Sequence, residues 1–148
     1  MGIELKRIVL IGFSGTGKST VAPILADQLG MKFVDTDNLI SMADGRSIPQ
    51  IFHDDGESTF RELEREAVRT AVMENSLVVV ATGGGTFLDR DSRSLLADAG
   101  FVIALEARPT TIADRTVQRS PKDRPLLSKE NSDALTRIRT LKSDRQPF

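Results

Sequence analysis

The run Gly12-Phe13-Ser14-Gly15-Thr16-Gly17-Lys18-Ser19 matches the spacing G-x-x-x-x-G-K-[ST] in full. The chemistry this spacing serves is phosphate binding. Glycines let the backbone wrap so that its N–H groups point at phosphate oxygens, and the N-terminus of a following helix adds partial positive charge. Lys18 is expected to bridge the β and γ phosphates of a nucleoside triphosphate, and Ser19 to offer its hydroxyl to Mg²⁺. Gly12, Ser14, Gly15, Thr16, Gly17 and Thr20 complete the expected nucleotide site. The context agrees: apolar Ile8 to Ile11 precedes the loop, and a helix is predicted from about Lys18 to Leu29 with Gly30 as its stop signal.

A triphosphate site serves a kinase, an ATPase or a GTPase equally well, so the partner residues decide. A guanine-reading Asn-Lys-x-Asp segment is missing, since Leu141-Lys142-Ser143-Asp144 lacks the Asn, and a GTPase is disfavoured. Asp35 and Asp37 follow the apolar pair Phe33 and Val34. One carboxylate can hold the waters around Mg²⁺ while the other accepts a hydrogen bond from an attacking hydroxyl. The alternative is that Asp35 or Thr36 caps the next helix. Gly83, Gly84 and Gly85 follow the apolar run Leu77 to Ala81, where backbone N–H groups can approach a ligand closely, or simply make a strand-to-helix turn. A helix predicted to start near Glu57 carries one apolar stripe of Phe60, Leu63, Ala67, Val68, Ala71 and Val72. Glu64 interrupts that stripe, one turn after Arg61, where it can hold the guanidinium or form an exposed pair of little worth.

These residues need a scaffold, and the punctuation of the chain indicates one. Runs at Ile8 to Ile11, Phe33 to Val34, Leu77 to Ala81 and Phe101 to Leu105 read as short strands buried on both faces of a parallel sheet, with helices between them. That alternation predicts an α/β layered fold with the ligand at the carboxyl ends of the strands. At 148 residues a single domain is expected. With 20 basic and 21 acidic residues there is no field to recruit nucleic acid or an anionic membrane. Cysteine is absent, no apolar run approaches the roughly 20 residues of a membrane span, and the N-terminus has no signal-peptide pattern, so a cytoplasmic protein is expected. The stretch from Ser120 to Asn131 reads from composition as a solvated loop, and His53 as a surface or packing residue.

In order along the chain stand Phe33-Val34-Asp35-Thr36-Asp37, Ile51-Phe52, Asp55-Gly56-Glu57, Phe60-Arg61-Glu62-Leu63-Glu64, Ala81-Thr82-Gly83-Gly84-Gly85, Arg124-Pro125-Leu126-Leu127 and Arg145-Gln146-Pro147. Together with the phosphate loop this pattern resembles the shikimate kinase family, from about Arg7 to the last residue. The resemblance implies a three-layer α/β sandwich of the P-loop NTPase type, with a parallel sheet in the order 2-3-1-4. It implies one domain over residues 1–148, with a lid at about 109–127 and a C-terminus cut short of the family's fifth strand and final helix. The implied reaction is transfer of the γ-phosphate of ATP to the 3-hydroxyl of shikimate, with Mg²⁺, in a monomeric enzyme of aromatic amino-acid biosynthesis. Another small hydroxy acid such as gluconate, or nucleotide binding without catalysis, are the alternatives.

Position by position, the resemblance assigns Asp37 to the ring hydroxyls and Arg61 with Arg145 to the acceptor carboxylate. It assigns Gly83, Gly84 and Gly85 to acceptor binding, and Phe52 and Phe60 to an apolar wall unless they are ordinary core. Lys18, Asp37 and Arg124 are the implied catalytic residues, Arg124 reaching over the transferring phosphate from the lid, and Arg115 is implied to stack on adenine, with Arg119 a weaker candidate. The third strand ends in Thr82 where an acid is usual, so the metal is expected at Ser19 and Asp35, with Glu106 as a rival.

Overall fold

The computed structural model describes residues 5–118 and 134–145. Four short runs, β1 (Arg7–Ile11), β2 (Lys32–Asp35), β3 (Val78–Ala81) and β4 (Phe101–Ala104), pair in parallel in the order β2-β3-β1-β4, with β-branched residues concentrated in the central β1 and β3. Val80 stands beside Val9 on one side and Val34 on the other, and Val9 beside Val102. The order is the expected one.

Alternation along the central strands divides the core into two layers. Val9, Ile11, Val78 and Val80 pack with Val68 and Ala71 of α3 (Ile48–Met73) and with Leu96 of α4 (Arg90–Ala99). Ile8, Leu10, Val79 and Ala81 face Ala22 and Ala26 of α1 (Lys18–Leu29). The outer strands depart from the expected burial on both faces. Phe33 is 36% and Phe101 59% exposed, because each of these strands has one sheet neighbour among the described residues.

α1 ends as its sequence predicts, with Gly30 left-handed and its N–H bonded to the Ala26 and Asp27 carbonyls. The helix predicted from Glu57 is the second half of a longer element. α3 bends at Gly56 (φ 81°, ψ 178°), and its first half is opened by a reciprocal cap between Ser47 and Gln50 that the sequence carries as S-x-x-Q. Before it, α2 (Thr36–Asp44) is capped by Asp35, whose side chain accepts from the Asp37 and Asn38 N–H groups. α2 is the helix that Asp35 or Thr36 was read as capping in the alternative, whereas the first half of α3 was not read in the sequence.

α5 (Pro109–Gln118) and α6 (Ala134–Arg145) meet through Ile112 and Ile138, and Phe13 of the phosphate loop plugs into the same cluster. The expected lid therefore begins on a helix rooted against the loop it would serve. The rest of that segment, with Arg119 and Arg124, lies outside the described residues. No helix among the described residues is long and apolar enough to cross a membrane.

At the amino-terminal edge of the sheet, Arg7 donates from Nη1 to the Ala99 carbonyl (2.8 Å) and from Nη2 to the Glu74 carbonyl (2.7 Å). It thus ties β1 to the ends of α4 and α3, where helix carbonyls favour a cation. Arg7→Met is expected to lower the unfolding free energy by about 1–3 kcal/mol, measured by urea denaturation, while leaving the Michaelis constants of the folded protein unchanged.

Candidate active site

The turn from β1 into α1 is possible only with glycine at its two ends. A Cβ on Gly12 (φ 144°) would run into the Leu105 carbonyl, and Gly17 opens α1 at φ 105°. Within the loop the Thr16 hydroxyl donates to the Phe13 carbonyl (2.9 Å), and the buried Lys18 lies back across the turn, its Nζ donating to the Gly12 (2.5 Å) and Phe13 (3.0 Å) carbonyls. Arg115, on α5, donates to the Gly15 carbonyl at 2.7 Å. That puts its guanidinium on the rim of the phosphate loop.

A cleft of about 470 Å³ opens over this loop. Ser14 to Thr20 line one side, and Asp37, Thr82, Gly83 and Gly84 the other. The strand register explains the convergence. Ala81 pairs with both Leu10 and Asp35, so the chain leaving β3 passes between the phosphate loop and the start of α2.

The capping reading of Asp35 holds, and its second carboxylate oxygen meets Ser19. Its Oδ1 caps α2, and its Oδ2 accepts from the Ser19 hydroxyl at 3.2 Å. Glu106, the rival acid, lines a different cavity of about 190 Å³ with Gly12, Leu105 and Lys142, and is not brought to Ser19. Asp37, in the first turn of α2, has its Oδ1 buried without a hydrogen-bond partner. Burial first, then the charges of Asp35 and Glu64, push its carboxyl up to about 6, against the pull of Lys18 and Arg61.

The three glycines after β3 each face a different neighbour. A Cβ on Gly83 would lie 2.8 Å from Glu64 Oε1 and 3.0 Å from Asp37 Oδ1. One on Gly84 would lie 2.9 Å from the Ser14 nitrogen, and one on Gly85 2.8 Å from Arg61 Nη1. The family resemblance assigned all three to the acceptor as a group, with a plain strand-to-helix turn as the alternative. Their packing shows that Gly84 sets the approach of this turn to the phosphate loop, while Gly85 makes room for a guanidinium.

Arg61 is held on three sides. Nη1 donates to Glu64 Oε2 (2.7 Å), Nη2 to Glu57 Oε1 (3.1 Å), and the guanidinium carbon lies 5.4 Å from the centre of the Phe60 ring. Burial works against its charge, but the two glutamates more than offset this and raise its pKa further. Glu64 is only 2% exposed, so its place on the apolar stripe belongs to this contact and not to a solvated pair. Phe60 and Phe52 stack at 4.6 Å between ring centres, Phe60 within a core cluster that includes Ile40 and Ile51.

The contacts of two threonines escaped the sequence reading, which had Thr36 only as a possible helix cap. Thr36 Oγ1 accepts from the Gly83 N–H (3.1 Å), locking α2 to the glycine turn, and Thr86 Oγ1 donates to Glu64 Oε1 (2.6 Å). Position was the available signal: one lies between the two aspartates, the other directly after the third glycine. Arg124 lies outside the described residues. Arg145 closes α6, with its side chain likewise outside them. His53 is a surface residue, paired with Asp54.

The sequence model of the family described as shikimate kinase matches residues 14–148. The shikimate kinase of Symbiobacterium thermophilum is 45% identical over 143 residues, which are 96% of this chain and 80% of the relative. The chain belongs to the shikimate kinase family. A shikimate kinase of Thermus thermophilus is 46% identical over 141 residues, covering 95% of this chain and 74% of that one. Among solved structures, the Acinetobacter baumannii shikimate kinase in complex with shikimate superposes with a TM-score of 0.90 at 35% identity, over 97% of this chain and 78% of that one. The Aquifex aeolicus shikimate kinase gives 0.73 at 33% identity, over 93% and 82%. This family membership accounts for the parallel sheet order as well as for the motifs.

Two predictions follow from the packing of the cleft. Asp37 has a folded pKa raised from 3.8 to about 6, so its contribution to stability is complete below pH 3.8 and is lost as pH rises through about 6. In the ligand-free protein Asp37→Asn should therefore be more stable than wild type by about 1–3 kcal/mol at pH 8, with the gap closing toward pH 4, as read from melting curves across pH. Gly84→Ala should weaken ATP binding on the order of tenfold or more, measured by calorimetry, because the new Cβ displaces the phosphate-loop backbone at Ser14.

Proposed function

We propose that this chain transfers the γ-phosphoryl group of ATP to the 3-hydroxyl of shikimate, as a monomeric, single-domain cytoplasmic enzyme of aromatic amino-acid biosynthesis. The observation that carries the proposal is the single cleft in which Lys18 and Ser19 face Asp37 and Gly83, beside the caged guanidinium of Arg61. Family membership supports the substrate pair, as does the relative solved with shikimate.

The backbone N–H groups from Ser14 to Ser19 and the start of α1 would cradle the triphosphate, with Thr20 and Arg115 completing its surroundings. When ATP binds, Lys18 exchanges the Gly12 and Phe13 carbonyls for phosphate oxygens, which are stronger partners for an ammonium. Arg124 would reach over the transferring group. Arg61 and Arg145 would engage the acceptor carboxylate, a role suited to a planar fork that can make two parallel hydrogen bonds. Phe52 and Phe60 back this end of the site.

Asp37 is the group that orients the attacking hydroxyl and accepts its proton. A carboxyl raised to about 6 still carries its charge at neutral pH, and it is more basic than an exposed aspartate. Its unpartnered Oδ1 offers the acceptor position such a hydroxyl requires. Ser19 and Asp35 supply two hard oxygens at one point of the cleft, and the described residues contain no cluster of three or more His, Cys, Asp or Glu that would enclose a metal without help. That donor set fits Mg²⁺ held jointly with phosphates and water. Bound there, Mg²⁺ would neutralise charge on the β and γ phosphates.

ADP release coupled to a reporter, with shikimate and a panel of other hydroxy acids, tests the reaction. Turnover of another acid in preference to shikimate would overturn it. Asp37→Asn is expected to lower kcat by on the order of a hundredfold or more with little change in KM. Arg61→Ala should chiefly raise KM for shikimate, by on the order of tenfold to a hundredfold, and spare ATP. Lys18→Ala should abolish turnover in a folded protein, a cost of about 3 kcal/mol or more in the transition state.

A further inference from the structure

Beneath the acceptor side of the cleft lies a buried chain of hydrogen bonds that ends at Arg61. Thr86, fully buried, opens the 3₁₀ turn Thr86–Leu88 that follows the third glycine. Its backbone is fixed by the bond from its N–H to the Gly83 carbonyl (3.3 Å) and by the next bond of the turn, Leu88 N–H to the Gly85 carbonyl (3.1 Å). Being β-branched, the side chain has little rotamer freedom, so the direction of its hydroxyl is set by the turn. That hydroxyl donates to Glu64 Oε1 at 2.6 Å, and the other Glu64 oxygen accepts from Arg61 at 2.7 Å.

We propose that Thr86 is a positioning residue for acceptor binding: by holding one oxygen of Glu64 it fixes the plane of that carboxylate, and so the place where Arg61 presents its guanidinium against Gly85. The proposal rests on the reading of Arg61 as the partner of the acceptor carboxylate. The terminal torsion of a glutamate is soft and roughly two-fold, so one bonded oxygen alone would leave the carboxylate free to swing. With Thr86 on Oε1 and Arg61 on Oε2 the plane is determined at both ends. The other carboxylate on Arg61, Glu57, is more than half exposed and cannot set a position with the same rigidity. Gly83 belongs to the same junction. A Cβ there would lie 3.0 Å from Thr86 Oγ1 as well as 2.8 Å from Glu64 Oε1, so the junction closes only over a glycine.

A hydrogen bond that merely supports the fold would, when lost, lower the melting temperature and leave substrate discrimination alone. The proposal requires an effect confined to the acceptor. Steady-state kinetics in both substrates, with melting temperatures, are compared for wild type, Thr86→Ser, Thr86→Val, Thr86→Ala, Arg61→Ala and the double variant Arg61→Ala/Thr86→Val. Thr86→Val and Thr86→Ala are expected to raise KM for shikimate about tenfold while kcat and KM for ATP stay within about twofold of wild type, and Thr86→Ser to restore the wild-type KM. In the Arg61→Ala background Thr86→Val should add no further rise, since the two changes break one path. Using two apolar replacements guards against one that overpacks or leaves a cavity. Unchanged KM for shikimate in the folded variants, equal losses for ATP and shikimate, or additive effects in the double variant would overturn the positioning role. A wild-type protein that does not turn over shikimate would overturn the functional reading itself, which is a distinguishable result.

Discussion

Between the phosphate loop, the start of α2 and the caged Arg61 there is a gap wide enough for a polypeptide backbone and too narrow for any side chain, and the chain leaving β3 runs through it as three glycines. The parallel register makes this unavoidable, since Ala81 at the end of β3 pairs with Leu10 on one side and Asp35 on the other. Both β1 and β2 release their functional segments at that edge, one to bind phosphate and one to present carboxylates. A kinase needs the attacking oxygen and the phosphorus within contact distance, and the distance between these segments is set by what lies between them. Gly84 against Ser14, Gly83 against Asp37 and Glu64, and Gly85 against Arg61 hold that separation at its minimum.

Close approach has an electrostatic consequence. Asp35, Asp37 and Glu64 are gathered on one side, with Lys18 and Arg61 near enough to act on Asp37. Three acids and two bases in a partly desolvated cleft leave Asp37 the least satisfied member, with its carboxyl raised and Oδ1 buried without a partner. Such a group weakens the fold at neutral pH and is kept where it has chemistry to do. The same crowding places a negative charge beside the phosphate loop, where Lys18 lies on the loop's own carbonyls and acts on Asp37.

Much of this arrangement was legible in the sequence because it is local. The phosphate loop, the strand before it and the helix after it occupy consecutive residues, and glycine spacing has one good explanation there. The Asp35-Thr36-Asp37 segment was legible as chemistry, but only the structure shows Asp35 capping α2 and meeting Ser19 with different oxygens. Exposure of Phe33 and Phe101 was not legible from the apolar runs themselves, which do not say how many neighbours a strand will have, and only the implied order 2-3-1-4 marks their strands as edges. The first half of α3 was not read, because the apolar stripe was followed only from Glu57, past the bend at Gly56 that divides the element. Thr36 and Thr86 act through partners 47 and 22 residues away, a separation that no local pattern encodes.

Glu64 condenses the relation between stability and function in this fold. It occupies a position on α3 whose neighbours along the stripe, Phe60, Ala67, Val68 and Ala71, are buried and apolar, so a leucine there would complete the core. Replacing a buried ion pair by packed hydrocarbon is often neutral or stabilising, because desolvating two charges costs about as much as their attraction returns. What a leucine could not do is accept from Arg61 and Thr86 together. Without that carboxylate Arg61 would keep the Phe60 ring and one exposed acid, Glu57, and would lose the hydrogen bond that fixes its orientation against Gly85. A buried charge on an apolar stripe therefore signals that a second charge, at the surface of the cleft, has to be held still. With Arg61 as the proposed partner of the acceptor carboxylate, that side of the cleft is organised from inside the core outward, through Thr86 and Glu64 to the guanidinium.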